Sequence, residues 1–134
     1  MPAFLIDTDW IIDHFNGIVD RTRRLQELQP QGLAVSIISI AELWEGVHFS
    51  RDPAHSRAQL GKFLEGVIVL GLDEETCSRF GQLRGELRNR DEVMGDFDLL
   101  IAATALVHNL TLLTNNRRHF HKIQDLRIES AHSK

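Results

Sequence analysis

The sequence predicts an α/β domain, a three-layer α/β/α sandwich around a mostly parallel sheet of about five strands. Three observations predict it. Short runs rich in strand-forming residues alternate with longer stretches of helical periodicity. Those runs are apolar at nearly every position, as a sheet covered on both faces requires. Most connections between them are long enough for the helix that a parallel crossover needs. The strand candidates, in order, are Phe4 to Asp7, Leu33 to Ile37, Val67 to Leu70, Thr111 to Thr114 and Leu126 to Glu129.

The helices between them are legible enough to place motifs. Trp10 to Phe15 follows the first strand, and a segment through Ser39-Ile40-Ala41-Glu42 follows the second. From Asp73 to about Asp91, Thr76, Phe80, Leu83 and Leu87 recur at three- and four-residue spacing, while Arg79, Arg84 and Arg88 fall elsewhere on the wheel. That helix should pack one stripe and solvate another. Leu99 to Val107 is apolar nearly all round with small residues in its middle, so it should be the most buried helix. Pro30, Pro53 and scattered glycines read as punctuation, and with no repeat or linker in sight residues 1–134 read as one domain.

Composition narrows the function classes. With 134 residues, 43% hydrophobic and 25% charged, the chain has the makings of a globular core and excludes a disordered tail, a coiled coil or a two-domain enzyme. Its one cysteine, Cys77, can neither pair within the chain nor complete a thiolate metal site, so a reducing cytoplasm is the expected setting. The opening Met1-Pro2-Ala3-Phe4-Leu5-Ile6-Asp7 is too briefly apolar for a signal peptide or membrane anchor. A formal charge of −4 argues against a module that holds nucleic acid by phosphate neutralisation alone. Where the acids sit therefore matters more than their sum.

In an open parallel sheet, ligands bind along the carboxyl edge, where the strand-to-helix turns lie. Those turns carry Asp7-Thr8-Asp9, Ser39 to Glu42, Gly95-Asp96-Phe97-Asp98 and Thr114-Asn115-Asn116. Each has a bland reading. Ser39-x-x-Glu42 has the form of a capping box, and Asp7 or Thr8, Asp96, and Thr114 or Asn115 suit helix N-caps. Their coincidence points further: Asp7, Glu42 and Asp98 can converge at one edge, and clustered anions repel unless a cation joins them. Oxygen ligands without cysteine or histidine favour Mg²⁺ or Mn²⁺, which suits phosphate chemistry without a side-chain nucleophile.

Four segments, Phe4-Leu5-Ile6-Asp7-Thr8-Asp9, Ser39-Ile40-Ala41-Glu42-Leu43, Asp98-Leu99-Leu100-Ile101-Ala102-Ala103-Thr104-Ala105 and Leu112-Leu113-Thr114-Asn115-Asn116-Arg117-Arg118-His119-Phe120, stand in the order and spacing of a known family. The chain resembles PIN-domain ribonucleases and, within them, the VapC toxins of toxin–antitoxin pairs. The resemblance implies that Asp7, Glu42 and Asp98 hold Mg²⁺ or Mn²⁺, with Glu42 as a ligand or as the group orienting the attacking water. Asn116 falls where the family often has a fourth acid, and Asp96 is an extra carboxylate that could compensate; Asp9 ranks lower. The implied reaction is endonucleolytic cleavage of single-stranded RNA, leaving a 5′-phosphate and a 3′-hydroxyl. Arg117 and Arg118 would meet phosphates at the crevice rim, and Thr114 would bond an acid or a phosphate oxygen, with weaker claims for His119 and His121. The implied partners are a second copy of the chain and a VapB-type antitoxin whose tail lies in a groove that Trp10, Ile11, Phe15 and Trp44 could line. DNA would be reached only through the antitoxin, and no membrane role is implied.

Rival readings find less support. Asp7-Thr8-Asp9 also resembles the opening of haloacid-dehalogenase-like phosphatases, but Lys62, Lys122 and Lys134 are all misplaced for that chemistry. A phospho-accepting receiver would use Asp73, yet no lysine closely follows Thr111 to Thr114. Glu45-x-x-His48 and Glu129-x-x-His132 have di-iron ligand spacing, but the four long helices such a site needs are absent.

Overall fold

The structure, a computed structural model, describes residues 1–131. The elements run β1 (Phe4–Ile6), α1 (Thr8–Phe15), α2 (Val19–Leu28), a 3₁₀ turn (Gln29–Gln31), β2 (Leu33–Ser36), α3 (Ile37–His48), α4 (Pro53–Leu64), β3 (Ile68–Leu70), α5 (Glu74–Asn89), α6 (Asp96–Val107), β4 (Thr111–Leu113), α7 (Arg117–Phe120) and β5 (Ile128–Glu129). All four pairings of the five-stranded sheet are parallel, in the order β3-β2-β1-β4-β5. The chain steps outward from β1 through β2 to β3, then returns to the other side of β1 for β4. That reversal leaves a crevice at the carboxyl end of β1, the usual place for a ligand in such a sheet.

Alternation along the strands builds the two outer layers. Leu5, Ala34 and Leu112 face a core completed by Leu83 and Leu87 of α5 and by Leu99, Ile101 and Ala105 of α6. Their neighbours Ile6, Val35 and Leu113 face the opposite way, onto Trp10 and Ile11 of α1, Leu25 and Leu28 of α2, Leu43 and Val47 of α3 and Leu60 of α4. The period of two, invisible in uniformly apolar runs, sorts one strand between two cores. Helix α6 is indeed deeply buried, with Leu99 and Ile101 through Ala105 inside. The α5 stripe also lands as its spacing predicts, with Thr76, Leu83 and Leu87 buried and Phe80 partly so.

Several expectations are corrected. The strands end earlier than expected: Asp7 lies beyond β1 as the N-cap of α1, β2 stops at Ser36, which caps α3, so Ile37 already belongs to a helix, and Thr114 belongs to the turn after β4. Edge strand β3 is not covered on both faces, for Ile68 is 50% and Val69 44% exposed. Pro53 opens α4 at a first-turn position, where its missing N–H is not needed. Gly32 ends the 3₁₀ turn at φ +93°, and a Cβ there would stand 2.7 Å from the Cα of Pro2, so only glycine fits. Its carbonyl accepts from the N–H groups of both Ala3 and Phe4, seating the start of β1. Of the two Glu-x-x-His pairs, Glu129 lies on β5 bound bidentately to Arg24, and His132 lies outside the described residues.

Candidate active site

The carboxyl end of β1 positions the first acid. Ile6 is level with Leu113 of β4, and the Asp7 N–H continues the ladder by donating to the Leu113 carbonyl at 2.9 Å. Asp7 then turns out of the sheet with extended backbone angles and caps α1, its Oδ1 accepting from Thr8 N at 2.8 Å. Its Oδ2 accepts from the Thr114 hydroxyl at 2.7 Å, across 107 residues of chain. Thr114 is completely buried and its oxygen also accepts from Asn116 N at 3.0 Å. The expected contact between Thr114 and RNA is therefore replaced by a contact with an acid, since a fully buried hydroxyl cannot reach a phosphate.

Burial dominates the electrostatics here. Asp7 is only 6% exposed, and its pKa rises from 3.8 to about 7. Loss of solvation is the main cause, the charge of Asp9 adds to it and that of Asp98 adds less; the bonds from Thr114 and Thr8 oppose the rise. The Asp9 pKa is also raised, by burial first and by Asp13 second, against hydrogen bonds from the Asn115 and Trp10 N–H groups. Asp9 Oδ2 accepts from Asn115 N at 3.0 Å, while its Oδ1 is buried with no hydrogen-bond partner. Ranked low in the sequence, Asp9 is structurally part of this anionic cluster. Asp13, which the sequence did not single out, anchors its rim by accepting from Asn115 Nδ2 at 2.9 Å and pairing with Arg21 at 3.2 Å.

Asp98 stands in the first turn of α6, where the helix dipole favours a carboxylate. Its Oδ2 lies 3.6 Å from Nδ1 of His119 on α7. Asn116, the N-cap of α7, brings its side-chain Nδ2 to 2.9 Å from the same ring nitrogen. Glu42 lies one turn inside α3, where Thr8 of α1 donates its hydroxyl to Glu42 Oε1 at 2.7 Å and lies 2.9 Å from Ser39 Oγ. The capping-box reading is thereby corrected: Ser36 is the cap, its hydroxyl accepting from Ile38 N, and buried Ser39 and Glu42 face α1 instead. Thr8, unremarked except as a possible cap, is the bridge. No spacing rule could reveal a bond that spans 34 residues.

Other expected site residues lie apart. Asp96 is not the cap of α6, which is Gly95; its exposed carboxylate pairs with Arg84, whose guanidinium also donates to the Met94 carbonyl and packs over Phe80. Arg117 and Arg118 are exposed on α7, with Arg117 reaching the Ile128 carbonyl at 3.5 Å. Trp10 and Ile11 are core residues at 1% and 0% exposure, and neither lines the cleft beside Glu42. A cleft of about 300 Å³ does lie between α1, α3 and α4, lined by Ile12, Phe15, Leu43 and Val47 with Glu42 at its edge. Trp44 lies outside it, under the guanidinium of Arg57. Asp73 caps α5 through Thr76 N, which occupies the carboxylate a receiver would need free.

Among the described residues no three carboxylate, imidazole or thiol groups stand together as a cation cage, and no Lys or Arg pairs with Asp7, Asp9 or Asp98. The donor chemistry nevertheless fits a hard divalent ion. Mg²⁺ keeps most of its waters and takes one or two protein carboxylates, and the orphaned Asp9 Oδ1 marks a buried charge without a counter-ion.

A parallel sheet with acids gathered at its switch point defines the class as an α/β/α sandwich whose carboxyl edge is anionic. The chain belongs to the PIN-domain family, whose model matches residues 4–126. It is 31% identical over 129 residues to Ribonuclease VapC2 of Rickettsia felis, covering 95% of this chain and 96% of that one. It is 30% identical over 129 residues to the tRNA(fMet)-specific endonuclease VapC of Salmonella typhimurium, covering 96% and 98%. The crystal structure of VapBC2 from Rickettsia felis bound to a promoter DNA fragment superposes with a TM-score of 0.90 at 29% identity, over 96% of this chain and 98% of that one. Within the family the likeness is thus to VapC-type members along the whole described fold.

Proposed function

We propose that this edge is the active site of a divalent-cation-dependent endoribonuclease that cleaves single-stranded RNA. As a VapC-type PIN protein the chain is a nuclease and the toxin of a toxin–antitoxin pair. The observation that carries the metal-dependent reading is the uncompensated burial of Asp7 beside Asp9 and Asp98, since acids in that position are stable as anions only with a cation among them. Asp7, Asp98 and Glu42 would hold Mg²⁺ or Mn²⁺. When bound, the ion supplies an activated water and charge neutralisation at the phosphate. Asp96, paired with Arg84, is left out of this ligand set.

The chain's own residues prepare the site. Thr114 and the Thr8 N–H hold both Asp7 oxygens, so the carboxylate cannot rotate. Thr8 holds one Glu42 oxygen and leaves the other to orient water. Exposed Arg117 and Arg118 on α7 would meet the phosphates of the strand, and Asn116 would bond a water at the position of a fourth acid. The partner reading is a VapB-type antitoxin: the cleft beside Glu42 is apolar where Ile12, 45% exposed, meets Phe15 and Val47, a seat for an amphipathic segment ending at the acids. A homodimer in the cytoplasm completes the proposal; exposed Cys77 suits reducing conditions, and no described helix is long and apolar enough to cross a membrane. DNA would be contacted only by the antitoxin.

Cleavage of labelled single-stranded RNA by purified protein tests the reaction, with Mg²⁺ or Mn²⁺, with EDTA, and with Asp98→Asn prepared in parallel. Cutting that needs metal and that Asp98→Asn lacks is the expected result. Equal cutting by both proteins would assign it to a contaminant and sink the reading.

A further inference from the structure

The site has one side chain that the nuclease reading leaves unused. His119 lies on α7 with its Nδ1 2.9 Å from Asn116 Nδ2 and 3.6 Å from Asp98 Oδ2. The side chain is 52% exposed, yet one edge of its ring is held. Its neighbour Phe120 is completely buried, and His119 N donates to the Asn116 carbonyl at 3.1 Å, so both backbone and ring are anchored.

The anchor occupies one edge of the ring. Nδ1 faces both the Asn116 side-chain amide and Asp98 Oδ2, so that edge is engaged whichever way the amide is turned. Nε2, on the opposite edge, has no hydrogen-bond partner among the described residues. The result is a held imidazole with one free nitrogen at the open margin of the acids.

Such a donor answers a chemical conflict at this site. An RNA phosphate must approach Asp98 and Asp7, and like charges repel. An arginine or lysine placed among the acids would bind them instead, as Arg84 binds Asp96 and Arg21 binds Asp13. An imidazole held along one edge has its other edge free to donate to a phosphate and stays clear of the carboxylate oxygens that a cation would take. Resting on the nuclease reading, we propose that His119 is a substrate-contacting residue: Asn116 holds Nδ1, and Nε2–H donates to a non-bridging oxygen of the RNA phosphate seated beside Asp98.

Isosteric replacements separate the two ring nitrogens. Glutamine places an N–H near Nε2 of the histidine it replaces, whereas asparagine places one near Nδ1. The proteins to compare are wild type, His119→Gln, His119→Asn and His119→Ala. Binding of a fluorescent single-stranded RNA is read by anisotropy in EDTA, and cleavage is read as kcat and KM with Mg²⁺ or Mn²⁺. His119→Gln should bind within about twofold of wild type, while His119→Asn and His119→Ala should lose about tenfold in affinity, the usual size for one hydrogen bond to a charged group. KM should rise in parallel, with the thermal midpoint unchanged in all three. The reverse order, with asparagine retaining affinity and glutamine losing it, would reduce His119 to a tether for Asn116 and overturn the proposal. Wild-type cleavage matched by all three variants overturns this inference alone. A wild type that binds RNA but never cuts removes the nuclease reading and leaves the contact to be judged by anisotropy, and one that neither binds nor cuts removes both.

Discussion

Replacing Asp7 by asparagine should stabilise the metal-free protein at alkaline pH. The folded Asp7 keeps its proton up to about pH 7, whereas the unfolded chain releases it near 3.8. Between those values the folded state binds more protons, so stability falls as pH rises through the window and stays low above it. A displacement of about three units at about 1.36 kcal/mol each makes the ionised carboxylate cost roughly 4 kcal/mol above pH 7. Asparagine removes that cost and keeps the geometry: its oxygen caps Thr8 N, its amide faces the Thr114 oxygen, and the Thr114 hydroxyl turns to Asp9 Oδ2, 3.4 Å away. Re-pairing an amide where the protonated acid stood takes back about 1–2 kcal/mol. The net gain is about 2 kcal/mol, or roughly 7 °C in midpoint for a chain of this size. Thermal unfolding followed by circular dichroism in EDTA, at about pH 8 and about pH 5, reads it, and the gain should all but vanish at the lower pH, where folded Asp7 keeps its proton and the cost, set by ionisation of the unfolded chain alone, has shrunk to roughly 1.6 kcal/mol. Saturating Mg²⁺ should raise the midpoint of wild type and leave the variant unmoved. Equal destabilisation at both pH values would refute the reasoning and reduce Asp7 to a helix cap.

Other substitutions probe the remaining supports. Asp98→Asn should lower RNA cleavage at least about 100-fold in a gel assay while the circular dichroism spectrum stays native, because its side chain is partly exposed and holds no helix together. Thr114→Val takes the donor from Asp7 and the acceptor from Asn116 N, so urea unfolding should show a loss of about 1–3 kcal/mol and cleavage should drop with it. Asp96→Asn, by contrast, should cut RNA within about twofold of wild type, since its carboxylate faces Arg84; a loss as large as that of Asp98→Asn would return it to the ligand set. Arg84→Ala frees the Met94 carbonyl, and amide exchange of residues 92–96 should accelerate with little change in the global midpoint.

The acids of the candidate site were partly legible because Asp7 sits at a strand-to-helix turn, Glu42 in the helix after the second strand and Asp98 in the first turn of an apolar helix, which in the structure follows α5 and not a strand. Asp7 after Phe4-Leu5-Ile6, and Asp98 before an apolar helix, could be placed from pattern alone. Glu42 is singled out by its place after the second strand, and it is the rival capping-box reading that fails. The box-like Ser39-x-x-Glu42 spacing is real, but the strand ends three residues earlier and Ser36 already caps the helix. Local spacing cannot say which of two serines starts a helix when the backbone between them is compatible with either. Asp96 was overvalued for a related reason, since nothing local predicted that Arg84, on another helix, would take its charge.

What the sequence by itself determined is the kind of molecule: alternating apolar runs and helical periods dictate a parallel sheet between helices, because only that arrangement buries uniformly apolar strands. Acids at the turns followed, as strand ends are where the chain leaves the core. Only the tertiary structure decided which side chains act together. Thr8 reaches Glu42, Thr114 reaches Asp7 and His119 lies beside Asp98 through contacts between different elements of the chain, two of them spanning 34 and 107 residues. The raised pKa of Asp7 is likewise a property of the folded crevice, since desolvation depends on how many neighbours exclude water and no order of residues records that number.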